Sequence, residues 1–320
     1  MYSASPRNRS KLIKFLNMDH PLVSVVTVNY DHPEVTCALL ESLRHVTYPN
    51  LEIIVVDNAS PNDDPAIIKQ LYPEIVFIQS EKNLGFANGN NQGIKKAKGD
   101  YILLLNNDTE VEPGFFEPLV SKLQSDPNIG MVSPKIRFYH SRDTIQFAGY
   151  TAFTAVTLRQ YLIGLNEIDT GQYDLCVPTE SIHGAAVMVP MSVIKHVGLM
   201  AELYFLYYEE HDWAERIKNA GYQLYFVPES LVFHKESVST GKLSPLKTYY
   251  INRNRFLFAR RNIKGIKKHM ALLYLTLIAL PKGIIAHLSE QRADLAKAIW
   301  KAYVWNFVHF SDINKNQVLK

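Results

Sequence analysis

Three carboxylates fall close together at Glu209, Glu210 and Asp212, directly after the aromatic run Tyr204-Phe205-Leu206-Tyr207-Tyr208. Trp213, Ala214, Ile217 and Ala220 then recur at helical spacing, and Gly221 offers a stop. Acids in a first helical turn are favoured by the dipole, so the plain reading is a helix start. A carboxyl set among apolar rings, however, is less easily ionised, and its pKa rises towards neutrality. Such a group can take the proton of a hydroxyl. Asp57 and Asp108 each close an apolar run. At Asp57 a carboxylate can accept the imide N–H of a pyrimidine base; the alternative is turn capping by Asp57-Asn58-Ala59-Ser60. At Asn106-Asn107-Asp108 a carboxylate can hold Mg²⁺ or Mn²⁺ against two phosphates, unless the tripeptide is an ordinary turn. His234 can add a metal ligand or touch a phosphate. His183 precedes Gly184-Ala185-Ala186, small residues that let an acceptor approach the backbone. Either histidine can equally be a packed structural residue. Lys247, Arg253 and Arg255 suit a diphosphate or an anionic head group, or a solvated face.

The elements that must position these groups are legible in order. Leu22 to Asn29, Leu51 to Val56, Ile75 to Ile78 and Tyr101 to Leu105 are short, β-branched or leucine-rich runs, read as buried strands of a parallel sheet. Between them lie a helix opened by Asp31 and Pro33, a short helix around Ile67, Ile68 and Leu71, and the Gly/Asn-rich stretch Asn83 to Gly93 leading into another helix. This alternation predicts an α/β, doubly wound, mostly parallel sheet with helices on both faces. Ligands in such sheets bind beyond the carboxyl ends of the strands, where Asn29, Asp57 and Asp108 fall. Further strands are expected at Met131 to Phe138 and Val187 to Val189. Tyr222 to Val227 and Leu231 to His234 read as edge strands, and Gln146 to Asp174 as irregular or antiparallel segments.

The 320 residues carry 34 basic and 31 acidic groups, a balance of +3 that argues against bulk nucleic-acid binding. The 47% hydrophobic content is that of an ordered globular chain. Two cysteines without metal-like spacing point to a reducing compartment. Residues 1–20 read as a basic, polar arm, 21–260 as the main domain and 261–320 as a helical region. There, eleven uncharged residues from Met270 to Leu280 are interrupted by Pro281-Lys282-Gly283. That run is too short to cross a bilayer, and a transmembrane helix is not expected. A basic, aromatic, amphipathic tail can instead lie in the membrane interface, or pack on the core or on a second subunit. The expected setting is cytoplasmic, with peripheral contact to the inner face of the membrane through these helices, and a homodimer is a further candidate arrangement.

Six stretches run in one order: VSVVTVNY (from Val23), LEIIVVDNAS (Leu51), NLGFANGNNQGI (Asn83), YILLLNNDTEV (Tyr101), HGAAVMVP (His183) and FLYYEEHDWAERIKNAGYQLYFVPESLVFH (Phe205). Together they resemble the inverting family 2 glycosyltransferases of the GT-A fold, and most resemble the rhamnosyltransferase-like branch. The resemblance covers residues 22 to 260. It implies a nucleotide pocket at Val28, Asn29, Tyr30, Asp57 and Asn58, with Asn83, Phe86, Asn88 and Asn107 near nucleotide or sugar. It puts Asn106 and Asp108 at the metal-binding Asp-x-Asp position, with His234 as a helper ligand. His183, Gly184, Ala185 and Trp213 fall on the acceptor and sugar side. Two departures stand out. The first Asp of the metal motif is Asn106, and the usual Glu-Asp pair is Glu209-Glu210, which puts the base on Glu210. Glu209 and Asp212 would position hydroxyls. The implied substrates are a dTDP- or UDP-sugar and a saccharide or lipid-linked saccharide. A nucleotidyltransferase is disfavoured by the lack of a Gly-rich triphosphate loop with Arg and Lys, and a dinucleotide oxidoreductase by the lack of G-x-G-x-x-G. A non-catalytic binding subunit is disfavoured by the acidic cluster.

Overall fold

The structure is a computed structural model that describes residues 20–236 and 244–311. Residues 1–19 of the expected arm, and the end of the chain beyond 311, lie outside the described residues. The four apolar runs form β1 (Val23–Asn29), β2 (Leu51–Asp57), β3 (Val76–Gln79) and β4 (Tyr101–Leu105). They pair in parallel in the order β3-β2-β1-β4. Their crossovers are α1 (Pro33–Arg44), α2 (Ala66–Leu71) and α3 (Gly85–Lys96). The register sets Asn29 directly beside Asp57, so the polar ends of β1 and β2 are one site by construction. Helix α3 tolerates its Gly/Asn composition because it lies hard against β1. A Cβ at Gly93 would come within 2.3 Å of Val26 Cγ1. Bulkier residues there would push the helix off the sheet.

The sheet then turns mixed. β5 (Thr109–Val111), α4 (Phe116–Ser125), β6 (Ile129–Phe138), β7 (Ser141–Phe147), β8 (Val177–Pro178), β9 (Ala186–Pro190), α5 (Met191–Val197), α6 (Glu209–Asn219) and β10 (Gln223–His234) follow. The main path continues β4-β9-β6-β10-β5. β9 runs antiparallel to both β4 and β6. Leu105 of β4 therefore faces Ala186 of β9, and His183 to Ala185 land beside Asn106 at one end of the sheet. The two expected edge strands are one interior strand, β10, between β6 and β5. The sequence suggested a break because Pro228-Glu229-Ser230 cannot hold a regular ladder. The structure absorbs it as a register shift between Val227 and Leu231.

At the other end of the chain, α7 (Pro245–Asn262) crosses the expected domain boundary, and α8 and α9 (Ala293–Val308) pack beyond it. Helix α8 spans Gly265–Ser289 without a break at Pro281. A π-helical turn at Leu275–Ala279 precedes the proline, where the missing N–H and ring crowding would otherwise interrupt the ladder. The resulting 25-residue helix is long and apolar enough to cross a membrane by length and composition alone, where the sequence pattern showed an apolar run of eleven residues.

Candidate active site

A cleft of about 380 Å³ opens at the carboxyl ends of β1 and β4. Val28, Tyr30, Asn58, Asn83 and Phe86 line it from the first half of the sheet. Asn106, Asn107, Asp108, His183, Gly184, Ala185, Glu209, Glu210 and His234 line it from the second. Most of the expected residues thus converge on one volume from segments more than a hundred residues apart.

Asn29 and Asp57 stand behind this wall and not in it. Both are fully buried. Asn29 Nδ2 donates to Asp57 Oδ1 at 2.9 Å, Ser60 Oγ donates to the same oxygen at 2.5 Å, and Ser60 N donates to Oδ2 at 3.2 Å. Thr36 Oγ1 donates to Asn29 Oδ1, and Asn107 Nδ2 donates to Thr36 Oγ1. The network locks the turns after β1, β2 and β4 to one another. Asn58 accepts from Leu84 N and donates to Asn83 Oδ1, which fixes the loop before α3. Asn88 does not line the cleft; its side-chain oxygen accepts from Gln92 one turn on.

His234 and Asp108 form the second centre. His234 Nδ1 donates to the Gln146 Oε1 amide oxygen at 2.8 Å, and its Nε2 lies 3.1 Å from Asp108 Oδ1. Asp108 Oδ1 and Asn106 Oδ1 are buried and receive no hydrogen bond. Buried oxygens without a donor are costly unless a cation answers them. Two ligand atoms of one octahedral ion with bonds of about 2.1 Å sit about 3 Å apart, so the donor set fits a divalent metal. The turn is rigid: Lys235 N donates to the Asp108 carbonyl at 2.8 Å. His183 Nδ1 accepts from Ala185 N, which leaves Nε2 as the protonated nitrogen of a neutral ring. Burial, with His234 and His211 nearby, pushes its pKa down to about 3.

Glu209 and Glu210 open α6 with Oε2 atoms that are buried and receive no hydrogen bond. Burial, and then the adjacent Glu210, raise the Glu209 carboxyl well above the ordinary range, so it keeps its proton. Glu210 is left as the acceptor of the pair. It faces Gly184, where an added Cβ would lie 3.7 Å from the Glu210 carboxyl. Asp212 is not a cleft residue, contrary to expectation. It is fully buried and takes hydrogen bonds from Arg216, Arg261, Asn262 and Tyr204 at 2.8 to 3.1 Å. Burial alone would raise its pKa, but Arg216 and Arg261 hold it below the usual value. Breaking such a buried pair costs about 3–5 kcal/mol, so Asp212 ties α6 to α7. Trp213 is likewise core, with Nε1 donating to the Gly198 carbonyl.

What holds the two glutamates is visible only in the fold. Phe205, Tyr207 and Tyr208 all have φ between 66° and 75°, a strained backbone for bulky residues. Asn254 Nδ2 donates to the carbonyls of Tyr204, Leu206 and Tyr207 at 3.0, 2.7 and 2.7 Å. Arg253 donates to the carbonyls of Leu203 and Tyr204 and lies over the Trp305 ring. Phe205 stacks on Tyr250, and its carbonyl accepts from Phe86 N. Arg253 is therefore a buried clamp and not a diphosphate ligand. Arg255 donates to the Thr157 carbonyl, and of the three cations weighed only Lys247 lines the cleft. Gln146 and Tyr150 also line it without having stood out in the sequence; both fall in the Gln146 to Asp174 stretch, which has no clear periodicity. Asn254→Ala removes the side-chain donor from the Leu206 and Tyr207 carbonyls and one of several from Tyr204, at about 1 kcal/mol for each bond lost. Transfer should fall on the order of 10–100-fold in kcat as the glutamates shift. Donor affinity should be little changed, and kinetics with a thermal melt check both.

Comparison with known proteins agrees with this geometry. The model for "Glycosyl transferase family group 2" matches residues 101–311, and that for "Glycosyl transferase family 2" matches residues 24–173. The chain is 27% identical over 290 residues to the low-salt glycan biosynthesis hexosyltransferase Agl10 of Haloferax volcanii, covering 88% of this chain and 89% of that one. It is 24% identical to the N-acetylglucosaminyl-diphospho-decaprenol L-rhamnosyltransferase of Mycobacterium tuberculosis, over 69% and 78% of the two chains. A mannosyltransferase from Pyrobaculum calidifontis, solved with GDP-Man and Mn²⁺, superposes with a TM-score of 0.56 at 15% identity over 94% of both chains, which shows the GT-A fold. The chain belongs to the family 2 glycosyltransferases.

Proposed function

We propose that this glycosyltransferase moves a hexose, rhamnose being the first candidate, from a dTDP- or UDP-sugar to a hydroxyl of a saccharide or lipid-linked saccharide, with inversion at the anomeric carbon. The single observation that carries the reading is the presence in one cleft of Glu210, whose buried Oε2 receives no hydrogen bond, and of the adjacent Asp108 and His234 side chains. Glu210 takes the acceptor's hydroxyl proton, the acceptor oxygen bonds the anomeric carbon, and the bond to the diphosphate breaks. Glu209, holding its proton, donates a hydrogen bond to a sugar hydroxyl. Asp108, His234 and Asn106 would hold Mg²⁺ or Mn²⁺, which when bound neutralises charge on the leaving diphosphate. Lys247 adds a cation on the same side of the reaction. Val28, Tyr30 and Asn58 bind the nucleoside; Asp57 lies buried behind them and would meet a pyrimidine imide only if that wall moves aside on binding. The name of the Mycobacterium tuberculosis relative supports rhamnose and a lipid-diphosphate acceptor, and that of Agl10 supports a role in glycan biosynthesis.

Calorimetric titration with dTDP, UDP and GDP, each with and without Mn²⁺, tests the donor side. Metal-dependent binding of dTDP or UDP with little for GDP is expected. Binding of GDP alone would return Asp57 to a purely structural role. Binding of none by folded protein would overturn the donor reading.

A further inference from the structure

Helix α8 has two unlike sides. Ala271 and Leu275 are buried against the protein, and Gly283 touches α9 so closely that a Cβ would lie 3.1 Å from Ile299 Cδ1. On the other side Ile266, Met270, Leu273, Leu277, Ile285 and Leu288 recur at steps of three or four residues, or two such steps, and all are exposed. Ile266 is 72% exposed, Leu277 67% and Ile285 66%. On α9, Trp300, Val304 and Phe307 make a second exposed row at the same spacing. A row of that length on a water-soluble face asks for an occupant.

The charges identify it. From Ile263 to Ser289 there is no aspartate or glutamate, while Lys264, Lys267, Lys268 and Lys282 flank the apolar row and Lys297 and Lys301 continue on α9. A second copy pairing the same face would bring lysines together with no carboxylate from α8 to answer them, a poor self-complementary surface. An anionic lipid surface answers both the lysines and the apolar row. The helix also cannot leave the protein to cross a bilayer without losing its packing on α9. Arg260 fixes α9 to α7 by donating to the Asn306 carbonyl and side-chain oxygen at 3.0 Å each. We propose that α8 and α9 dock the enzyme tangentially on an anionic phospholipid bilayer, with the Ile266 to Leu288 row immersed at the boundary between head groups and acyl chains.

The docking would set the cleft beside lipid-linked acceptors, and to that extent it rests on the proposed function. The test does not, because it needs neither donor nor acceptor. The full chain is sedimented with phosphatidylcholine vesicles with and without phosphatidylglycerol, and its mass in lipid-free solution is measured in parallel. Binding should require phosphatidylglycerol. The exposed pair Leu273→Glu/Leu277→Glu should lower association at least tenfold, and Lys267→Glu/Lys282→Glu should abolish the dependence on phosphatidylglycerol. Nucleotide titration of both variants, expected to match the parent, shows that the fold is kept. No binding to either vesicle, or binding that survives the leucine pair, overturns the proposal. So does a lipid-free dimer that the leucine pair dissolves, which would give the face to a second copy.

Discussion

Glu210→Gln is expected to lower the rate of sugar transfer by about 10²–10⁴-fold while donor binding stays within about twofold of the parent. The substitution is nearly isosteric, so the start of α6 keeps its shape and the cleft its lining. What is lost is proton affinity at a buried oxygen that has no other partner. Glu209 is a poor substitute, because burial, the larger cause of its raised pKa, remains when the Glu210 charge is removed. His211 offers little help: its Nε2 lies 3.8 Å from Glu210 Oε1, its Nδ1 is engaged with Ser181, and burial lowers its pKa. Initial rates and calorimetry on the same preparation separate the two effects. Full transfer activity in the variant would remove Glu210 from the role of base.

Asp108→Ala should weaken nucleotide binding in Mn²⁺ by on the order of 100-fold or more, since loss of a mere outer-shell partner already costs 10–100-fold in metal affinity. Binding measured in chelator should hardly change. The turn itself survives, because the backbone bond from Lys235 to the residue 108 carbonyl does not involve the carboxylate. The departure at Asn106 sharpens the effect. With an amide oxygen in place of the first carboxylate, Asp108 supplies the only negative charge among the three candidate ligands Asn106, Asp108 and His234. Unchanged affinity in Mn²⁺ would return Asp108 and His234 to a structural hydrogen bond.

The sequence by itself determined the order of the strands that build the nucleotide half and which polar residues close them. Runs such as Val23 to Asn29 and Tyr101 to Leu105 can only be buried strands, and right-handed crossovers then bring their polar ends together. Asp108 stood out as one of those strand ends, and Glu209 and Glu210 stood out as carboxylates directly after an aromatic run. The antiparallel insertion of β9 and the interior place of β10 were not, because an apolar run does not say which neighbour it will pair with or in which direction. Pro281 suggested a break in α8 because local propensity does not foresee a π turn. The facing of the acids was also decided only in three dimensions. Glu210 and Asp212 lie two residues apart, hence about 200° around one helix. Their spacing fixes the angle between them, but which one meets the cleft depends on what packs on the other side. Arg216, Arg261 and Asn262 occupy that side and claim Asp212, while Arg253 and Asn254 hold the strained turn that presents Glu209 and Glu210. Apart from Arg216, one turn along α6, those partners come from α7, some fifty residues away, and only tertiary packing brings them there.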